Sequence, residues 1–458
     1  MNHRSFLLTA HLIAMLGLSL LAATPSAAQT LEQALVAAYT GNPTLQAQRA
    51  ALRATDEGVS QALSDWRPSL EASGSSGFSE IDNPAASDPR QQREPHTASL
   101  TLSQSLFSGG GTLAATRQAE NSVMAGRADL LSVEQSVLLK AVSAYMNVFS
   151  AQSVLELNIN NEQVLTRQLE ATRDRYNVGD ITRTDVHQAE ARHALATANR
   201  IRAEGNLKAS RATFMNVIGE APGELARPEN TYALPASFED AVRLASENNP
   251  DVVKAEYTER AAGDNVDEIK SELLPSLDLS GSASRALNAS GESTSLNSYI
   301  AKMTLTVPLY QSGSVYSRLR AARQTAAQNR RNIDQARRDA IESATRAWEN
   351  LLTIQASKVS FEIQVNASEV ALEGVGQEAA VGSRTVLDVL DAEQELLDAK
   401  VNLVGAERDE MIAIFELKSA IGELSVRHLN LPVTPYDSVE HYDQVRSIWV
   451  GGGPAIPE

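Results

Sequence analysis

The sequence repeats itself once, and this duplication constrains the fold more than any other feature. Two early motifs recur 207 residues later: Asn42-Pro43 at Asn249-Pro250, and Pro68-Ser69-Leu70 at Pro275-Ser276-Leu277. Two later motifs recur 203 residues later: Val178-Gly179 at Val381-Gly382, and Ile218-Gly219 at Ile421-Gly422. The repeats therefore differ in length in one short stretch. A duplication of this kind predicts two copies of one supersecondary unit.

Composition limits the class of protein. The chain has 458 residues and a net charge of -17, with 57 acidic and 40 basic side chains. This charge argues against nucleic acid as a partner, because phosphates are bound by clustered Lys and Arg. It suits a solvated surface or a passage that favours cations. The chain has no cysteine, so an exported form would be held together by packing without disulfides.

The N-terminus has the pattern of a secretory signal peptide, predicted over residues 1–28. His3-Arg4 is a short basic start, residues 6–23 are mostly apolar, and small residues lead to Ala28. A membrane anchor is the alternative, but the apolar run is barely long enough to span a bilayer and no basic flank follows it. No later stretch reaches about 18 uninterrupted apolar residues, so no transmembrane helix is expected in the mature chain.

Each repeat gives the same order of signals. The first, 29–237, predicts a helix broken at Asn42-Pro43, a β-hairpin at 68–107, a long helix at 112–176 and a returning helix at 182–219. The second, 238–422, predicts a broken helix, a hairpin at 275–310, a long helix at 314–380 and a returning helix at 384–421. Residues 423–458 are expected to form an equatorial segment and a tail.

The hairpin segments alternate apolar and polar residues. Leu100 and Leu102 alternate with Thr101 and Ser103, which predicts a strand with one apolar and one polar face. The link at 81–95 holds three prolines and several charges, and it is expected to be a loop. Strands of about ten residues with aromatic flanks suit a membrane barrel; a soluble sheet is the alternative. Four strands cannot close a barrel alone, and open edges are not stable in lipid, so oligomerisation is required. Three chains would give 12 strands.

The long helices carry a heptad pattern. Leu130, Val137, Ala144 and Ala151 recur every seven residues, which is typical of coiled-coil packing. About 65 residues at 1.5 Å each would form a rod on the order of 100 Å long. Such a rod is too long for one compact domain.

The most specific motif is Arg384-Thr385-Val386-Leu387-Asp388-Val389-Leu390-Asp391, at the tip of the second helical pair. With the duplication, the Asn-Pro pairs and the Pro-Ser-Leu strand starts, it makes the chain resemble the TolC family of outer-membrane channels over nearly its whole mature length. That family serves type I secretion and multidrug efflux. The resemblance implies an α+β membrane protein: a homotrimer with a 12-stranded outer-membrane β-barrel, four strands per chain, above a periplasmic α-helical tunnel.

The resemblance also implies a gate and partners. Asp388 and Asp391 would form acidic rings at the periplasmic constriction, and Arg384 would join polar links with Thr184 and Asp185 that hold the closed state. A periplasmic adaptor protein and an inner-membrane pump of RND or ABC type would be the partners, with outer-membrane lipid around the barrel. The sequence departs from the family at Ala379, where members can carry Tyr, which puts part of the closed-state network in doubt.

The residues support the acidic rings independently. Asp388 and Asp391 are three positions apart and share one helical face. Threefold symmetry would bring six carboxylates near one axis, which favours cations. The alternative is two solvated acids in the first turn of a helix.

The other chemical signals are weak. The two acids could be the acid and base of a hydrolase, but no nucleophile accompanies them. The glycines at 109–111 lack the Lys of a phosphate loop, and the scattered histidines do not suit a metal. No catalytic activity and no cofactor are therefore expected. The expected function is a passive exit duct gated at its helical tips. A soluble or peripheral periplasmic coiled-coil scaffold is the alternative.

Overall fold

The computed structural model describes residues 28–82, 84–85, 90–228, 232–291 and 293–452. All but the last residue of the predicted signal peptide lies outside these ranges, as does the end of the predicted tail, 453–458.

Two short helices and two long helices form each repeat. The first repeat contains α1 (Leu31–Gly41), α2 (Pro43–Ser64), α3 (Gly111–Asn177) and α4 (Arg183–Ile218). The second contains α5 (Phe238–Asn248), α6 (Pro250–Ser271), α7 (Ser314–Ala380) and α8 (Val386–Ala420), and α9 (Glu440–Arg446) follows it. Within the described ranges, none of these helices combines the length and the apolar character needed to cross a membrane.

The Asn-Pro pairs separate the short helices and also tie them to the core. Asn42 accepts a hydrogen bond from the backbone of Thr44 at 2.9 Å and so caps α2, while Pro43 occupies the first turn. The amide of Asn42 donates to the Val217 carbonyl at 2.9 Å, near the end of α4. Asn249 makes the equivalent bond to the end of α8, at 3.1 Å. In both repeats the same side chain therefore links a helix start to the end of the returning helix.

The strands form one four-stranded antiparallel sheet and a small two-stranded one. They are β1 (Ser69–Ser76), β2 (Ser79–Asp82), β3 (Arg90–Arg93), β4 (His96–Ser108), β5 (Ser276–Leu287) and β6 (Ser295–Thr306). The larger sheet has the order β1-β4-β5-β6, so β4 and β5 join the two repeats. Strands β1 and β6 are its edges, and each pairs on one side within the chain.

The expectation of a loop at 81–95 is wrong in part. Strand β2 pairs with β3 in an antiparallel ladder from Ser79 opposite Arg93 to Asp82 opposite Arg90. The prolines at 84 and 95 lie outside both strands. Because a proline removes a ladder donor only where it lies inside a strand, the hairpin can continue beyond the main sheet.

The two faces of the larger sheet differ in polarity. One face carries Leu70, Leu102, Gly281 and Ala301 in register across the four strands. The opposite face carries a row of serines, Ser73, Ser99, Ser284 and Ser298. The hydroxyl groups of Ser73 and Ser99 lie 2.7 Å apart. The sheet is therefore apolar on one side and hydrogen-bonding on the other, as the alternating pattern predicts.

The long helices connect the sheet to the far end of the molecule. Helix α3 has 67 residues and is about 100 Å long. Near the sheet it packs against α6, where Arg117 pairs with Asp264 at 3.5 Å. Further down it packs against α4, where Arg200 pairs with Glu162 at 2.6 Å. Helices α7 and α8 form the equivalent hairpin.

The main hydrophobic core lies midway along the long helices, where the short helices meet the ends of α4 and α8. Tyr145 is fully buried there, with its ring centroid 6.5 Å from that of Phe214. Its hydroxyl lies 2.7 Å from the Gln29 carbonyl and 2.6 Å from the Ala226 carbonyl. Burial raises the pKa of Tyr145 to about 12, so this hydroxyl stays a hydrogen-bond donor and fixes both chain segments to the core.

Candidate functional site: the helical tips

The same turn closes both helical hairpins at the end far from the sheet. Gly179 and Gly382 have φ of +82° and +81°, a conformation that favours glycine. After each long helix, a backbone N–H returns to the carbonyl five residues earlier, from Ser383 to Glu378 at 2.9 Å in the second repeat. This pairing satisfies the last carbonyls of the helix and reverses the chain.

Each returning helix begins with a capping box. The backbone N–H and hydroxyl of Thr385 donate to the Asp388 carboxylate at 2.9 and 2.8 Å, and Thr182 binds Asp185 in the same way at 2.9 and 2.7 Å. The backbone donor of Thr385, followed by its hydroxyl, lowers the pKa of Asp388. The Thr182 hydroxyl, followed by its N–H, lowers the pKa of Asp185. Both carboxylates therefore remain charged below the ordinary range of Asp.

Arg384 is bound within its own turn. Its Nε donates to the Glu378 carboxylate at 2.8 Å. Within one protomer the structure gives no hydrogen bond or ion pair between Arg384 and the predicted partners Thr184 and Asp185, all described residues. Thr184 is exposed at the first tip. A contact between Arg384 and these residues of a neighbouring protomer stays a prediction.

Asp391 connects the two hairpins. Its carboxylate forms an ion pair with Arg192 of α4. Beside this pair, side chains of α3, α4 and α8 form a small apolar cluster, which we call the tip cluster: Leu165, Leu169, Ala189, Ala196, Val386 and Leu390. The ion pair is partly exposed to solvent, and such pairs contribute about 0–1 kcal/mol. Far fewer buried side chains therefore join the hairpins at the tips than in the core at mid-height.

The tips differ in charge although they share a backbone fold. Residues 173–192 contain four basic and four acidic side chains, while residues 376–395 contain one basic and five acidic ones. At the offset of 203, Arg175 corresponds to Glu378 and Arg192 corresponds to Glu395. The second hairpin therefore carries the negative potential of this end of the molecule.

Sequence reasoning missed Arg192 and Glu378. Both positions carry opposite charges in the two repeats, and this reversal at a fixed offset was the available signal. The pairing of Arg192 with Asp391 joins residues 199 apart in the chain. No spacing rule within one helix predicts such a contact.

No group of three or more His, Cys, Asp or Glu side chains suited to a metal ion occurs among the residues whose positions are described. The carboxylates of the second tip are instead spread along the end of α7 and the first turns of α8.

Comparison with known proteins identifies the class. The model of the family described as "Outer membrane efflux protein" matches residues 34–220 and 241–423. The chain is 34% identical to outer membrane efflux protein BepC of Brucella suis biovar 1 (strain 1330) over 424 residues, which cover 92% of each chain. It is 27% identical to outer membrane protein TolC of Escherichia coli (strain K12), over 88% of this chain and 84% of TolC.

A solved structure shares the fold. The CmeC outer membrane channel of Campylobacter jejuni has a TM-score of 0.78 at 15% identity, over 91% of this chain and 89% of CmeC. The predicted fold class is confirmed: two repeats each contribute two strands to one four-stranded sheet and one long helical hairpin below it.

Fold and comparisons together define a channel protein of the outer membrane. The chain belongs to the outer membrane efflux protein family, as both the family model and the identity to BepC show. It is thus an outer-membrane efflux channel protein that reaches into the periplasm and not an enzyme, since its family and relatives are channels. The resemblance to the TolC family is confirmed, and the scaffold alternative is set aside.

The second capping box yields a test. In Thr385→Val the Asp388 carboxylate loses its hydroxyl donor, so its pKa should rise and the start of α8 should fray. Amide hydrogen exchange over residues 383–390, measured by mass spectrometry at neutral pH, should become roughly two- to ten-fold faster. A depressed carboxyl pKa stabilises the fold above its unfolded value, and this stability is lost as pH falls through the folded value. The loss should therefore be smaller in the variant and should be complete at a higher pH.

Thr182→Val is the matched control for this experiment. It should produce the same change over residues 180–187 and leave the second tip as it is. If either substitution accelerated amide exchange equally at both tips, the two capping boxes would not act independently.

Proposed function

We propose that the chain is the exit duct of a tripartite efflux pump or type I secretion system. In this proposal three chains form a passive channel, gated at the helical tips, and an inner-membrane pump supplies the energy through a periplasmic adaptor. The family membership, the open edges of the sheet and the acidic second tip support it. The single observation that carries gating is the weak connection between the two hairpins, one ion pair beside the six-residue tip cluster.

The sheet supports the trimer. Among the residues that the structure describes, β1 and β6 each have one edge without a strand partner. Each unpaired backbone N–H or C=O group costs on the order of several kcal/mol in hydrocarbon, because no water is present to bind it. Pairing β1 of one protomer with β6 of the next satisfies both edges, and three protomers give a closed barrel of twelve strands.

A stripe on α7 supports the same assembly. Four apolar side chains at heptad-like spacing are exposed in the single chain: Leu352, Val359, Ile363 and Val370. Their exposed fractions rise from 47% to 72% towards the tip. A helix stripe of this kind is stable in water when a second helix covers it. In the proposed trimer the covering helix belongs to the neighbouring protomer.

A charge in this stripe should prevent assembly. Ile363→Asp would place a carboxylate in a helix–helix contact, where an unpaired charge is strongly unfavourable. Detergent-extracted protein should change from trimer to monomer in size-exclusion chromatography with light scattering. Gln364→Asp adds the same charge one position away, outside the stripe, and should remain trimeric. A trimeric Ile363→Asp protein would show that this stripe does not form the interface.

The gate lies where the hairpins meet. Opening would separate α8 from α4, which requires loss of the Arg192–Asp391 pair and of the tip cluster. The mid-height core, which also joins α8 to the rest of the chain, would stay packed and act as the fixed end. In the trimer, Asp388 and Asp391 would surround the axis and favour cations.

Removal of these two carboxylates should reduce cation selectivity. In planar lipid bilayers, Asp388→Ala with Asp391→Ala should lower the cation-to-anion permeability ratio several-fold and abolish block by divalent cations, because six charges leave the constriction. The readouts are the reversal potential in a salt gradient and the conductance in added divalent salt.

Glu239→Ala with Glu247→Ala is the matched control. It removes as many charges from the exposed helix α5, far from the tips, and should leave selectivity and block unchanged. Unchanged selectivity in the Asp388 and Asp391 variant would reject the gate assignment.

The adaptor should contact the tips. The chain has no cysteine, so Ser383→Cys, in the exposed second turn, introduces a unique thiol for a photoactivatable cross-linker. We expect covalent capture of a periplasmic adaptor in intact cells. Cysteine at Asn248, an exposed position at the end of α5, is the control and should capture less of it. Equal capture from both positions would contradict docking at the tips.

A further inference from the structure

The C-terminal segment, residues 437–452, follows the first repeat towards the sheet. Helix α9 packs against α2, where His441 lies 3.0 Å from the buried carboxylate of Asp56. One turn further on, Arg446 pairs with Glu120 of α3 at 2.8 Å. These contacts direct the chain after α9 to the end of α2 that leads into β1.

Arg67 fixes the end of this segment. Its guanidinium donates to the carbonyl of Ile448 at 2.6 Å and to that of Arg446 at 3.3 Å. The same guanidinium lies 5.2 Å from the centre of the Trp449 ring, a cation–π distance. One side chain therefore binds both the backbone and the aromatic ring of the C-terminal segment.

This binding places Trp449 at the entrance of a membrane strand. Arg67 is two residues before Ser69, the first residue of β1. Trp449 is 66% exposed and Val450 is 92% exposed, while Leu70, on the apolar face of β1, is 67% exposed. The exposed indole thus lies at the level where the apolar row of β1 begins.

We propose that residues 448–450 form an interfacial anchor that inserts Trp449 among the phospholipid headgroups of the inner leaflet of the outer membrane. Tryptophan prefers this depth because its ring is apolar and its N–H can meet polar groups. Arg67, next to Trp66 in the chain, holds the ring at the start of the strand. The inference rests on the proposed barrel, since the strands define the height of the bilayer.

A second copy of the chain is the competing occupant of this surface. The side chains of α2 beneath the segment are polar, namely Glu57, Ser60, Gln61 and Ser64. The indole therefore has a polar support on one side and an open apolar face on the other, as an interfacial residue requires. Continuity with the lipid-facing row of β1 favours lipid over protein.

The three tryptophans of the chain, Trp66, Trp348 and Trp449, allow a direct test. Three single-tryptophan proteins, with Phe at the other two positions, are reconstituted in phosphatidylethanolamine–phosphatidylglycerol vesicles that contain lipids brominated near the headgroup. The Trp449 protein should lose roughly half of its fluorescence, as much as the Trp66 protein, which lies at the strand entrance. The Trp348 protein should be unaffected, because its ring lies 6.4 Å from Phe238 against the mid-height core.

The outcomes separate this inference from the proposed barrel. Quenching of Trp66 without quenching of Trp449 overturns the anchor and leaves the barrel in place. If neither Trp66 nor Trp449 is quenched, both the anchor and the proposed barrel are overturned. A Trp449 shielded from bromolipid and from aqueous acrylamide is covered by protein, which also overturns the anchor.

Arg67→Ala in the Trp449 protein tests the tether. Bromolipid quenching of Trp449 should fall about two-fold or more as the ring loses its cation–π and backbone contacts. The same substitution in the Trp66 protein controls for disturbance of the strand entrance and should leave its quenching unchanged. Undiminished quenching of Trp449 would show that Arg67 does not position the anchor.

Discussion

Backbone hydrogen bonding at the two edges of the sheet governs the rest of the structure. Inside lipid every N–H and C=O needs a partner, and within the described part of a single chain β1 and β6 each leave one edge unpaired. The chain therefore cannot place its sheet in a membrane alone. The join of β4 to β5 already solves the same problem between the repeats, through twelve residue pairs in antiparallel register. Repeating that join between chains closes the ring, and the helices below must then follow the symmetry of the barrel above them.

The helices of this ring are joined by many buried contacts at mid-height and by few at the tips. At mid-height, α1, α5 and the ends of α4 and α8 converge on α3 and α7, and the Asn42 and Asn249 side chains cross-link these elements through hydrogen bonds. Among the described residues at the tips, the Arg192–Asp391 pair and the six side chains of the tip cluster lie between the hairpins. The free energy of opening depends on the contacts that must be separated, so the proposed motion would cost least at the end with few buried contacts.

Much of this fold follows from short-range patterns. Alternation predicts β4, the heptads predict α3 and α7, and Asn42-Pro43 predicts a helix break, because each depends on neighbours within a few residues. The β2–β3 ladder was missed because charges and prolines suggested a loop, while the hairpin context decided the pairing. At the candidate site, Asp388 and Asp391 could be found from the tip motif, but Arg192 could not, since its contact depends on how two hairpins pack. The position of Trp449 depends likewise on Arg67, 382 residues away in the chain.

Under the proposed gating, the reversal of charge between the repeats explains how two copies of one unit could differ, one staying fixed and the other moving. If both tips carried the same charges, contacts between hairpins would bring like charges together and weaken every hairpin junction equally. Here the first tip is balanced and supplies Arg192, while the second has an excess of carboxylates that includes Asp391. The junction between the two hairpins of one chain gains an attractive pair, and in the proposed gating a docking partner could break an exposed pair of about 0–1 kcal/mol. On that proposal, the duplication fixes the geometry of both units, and a few substituted charges decide which of them moves.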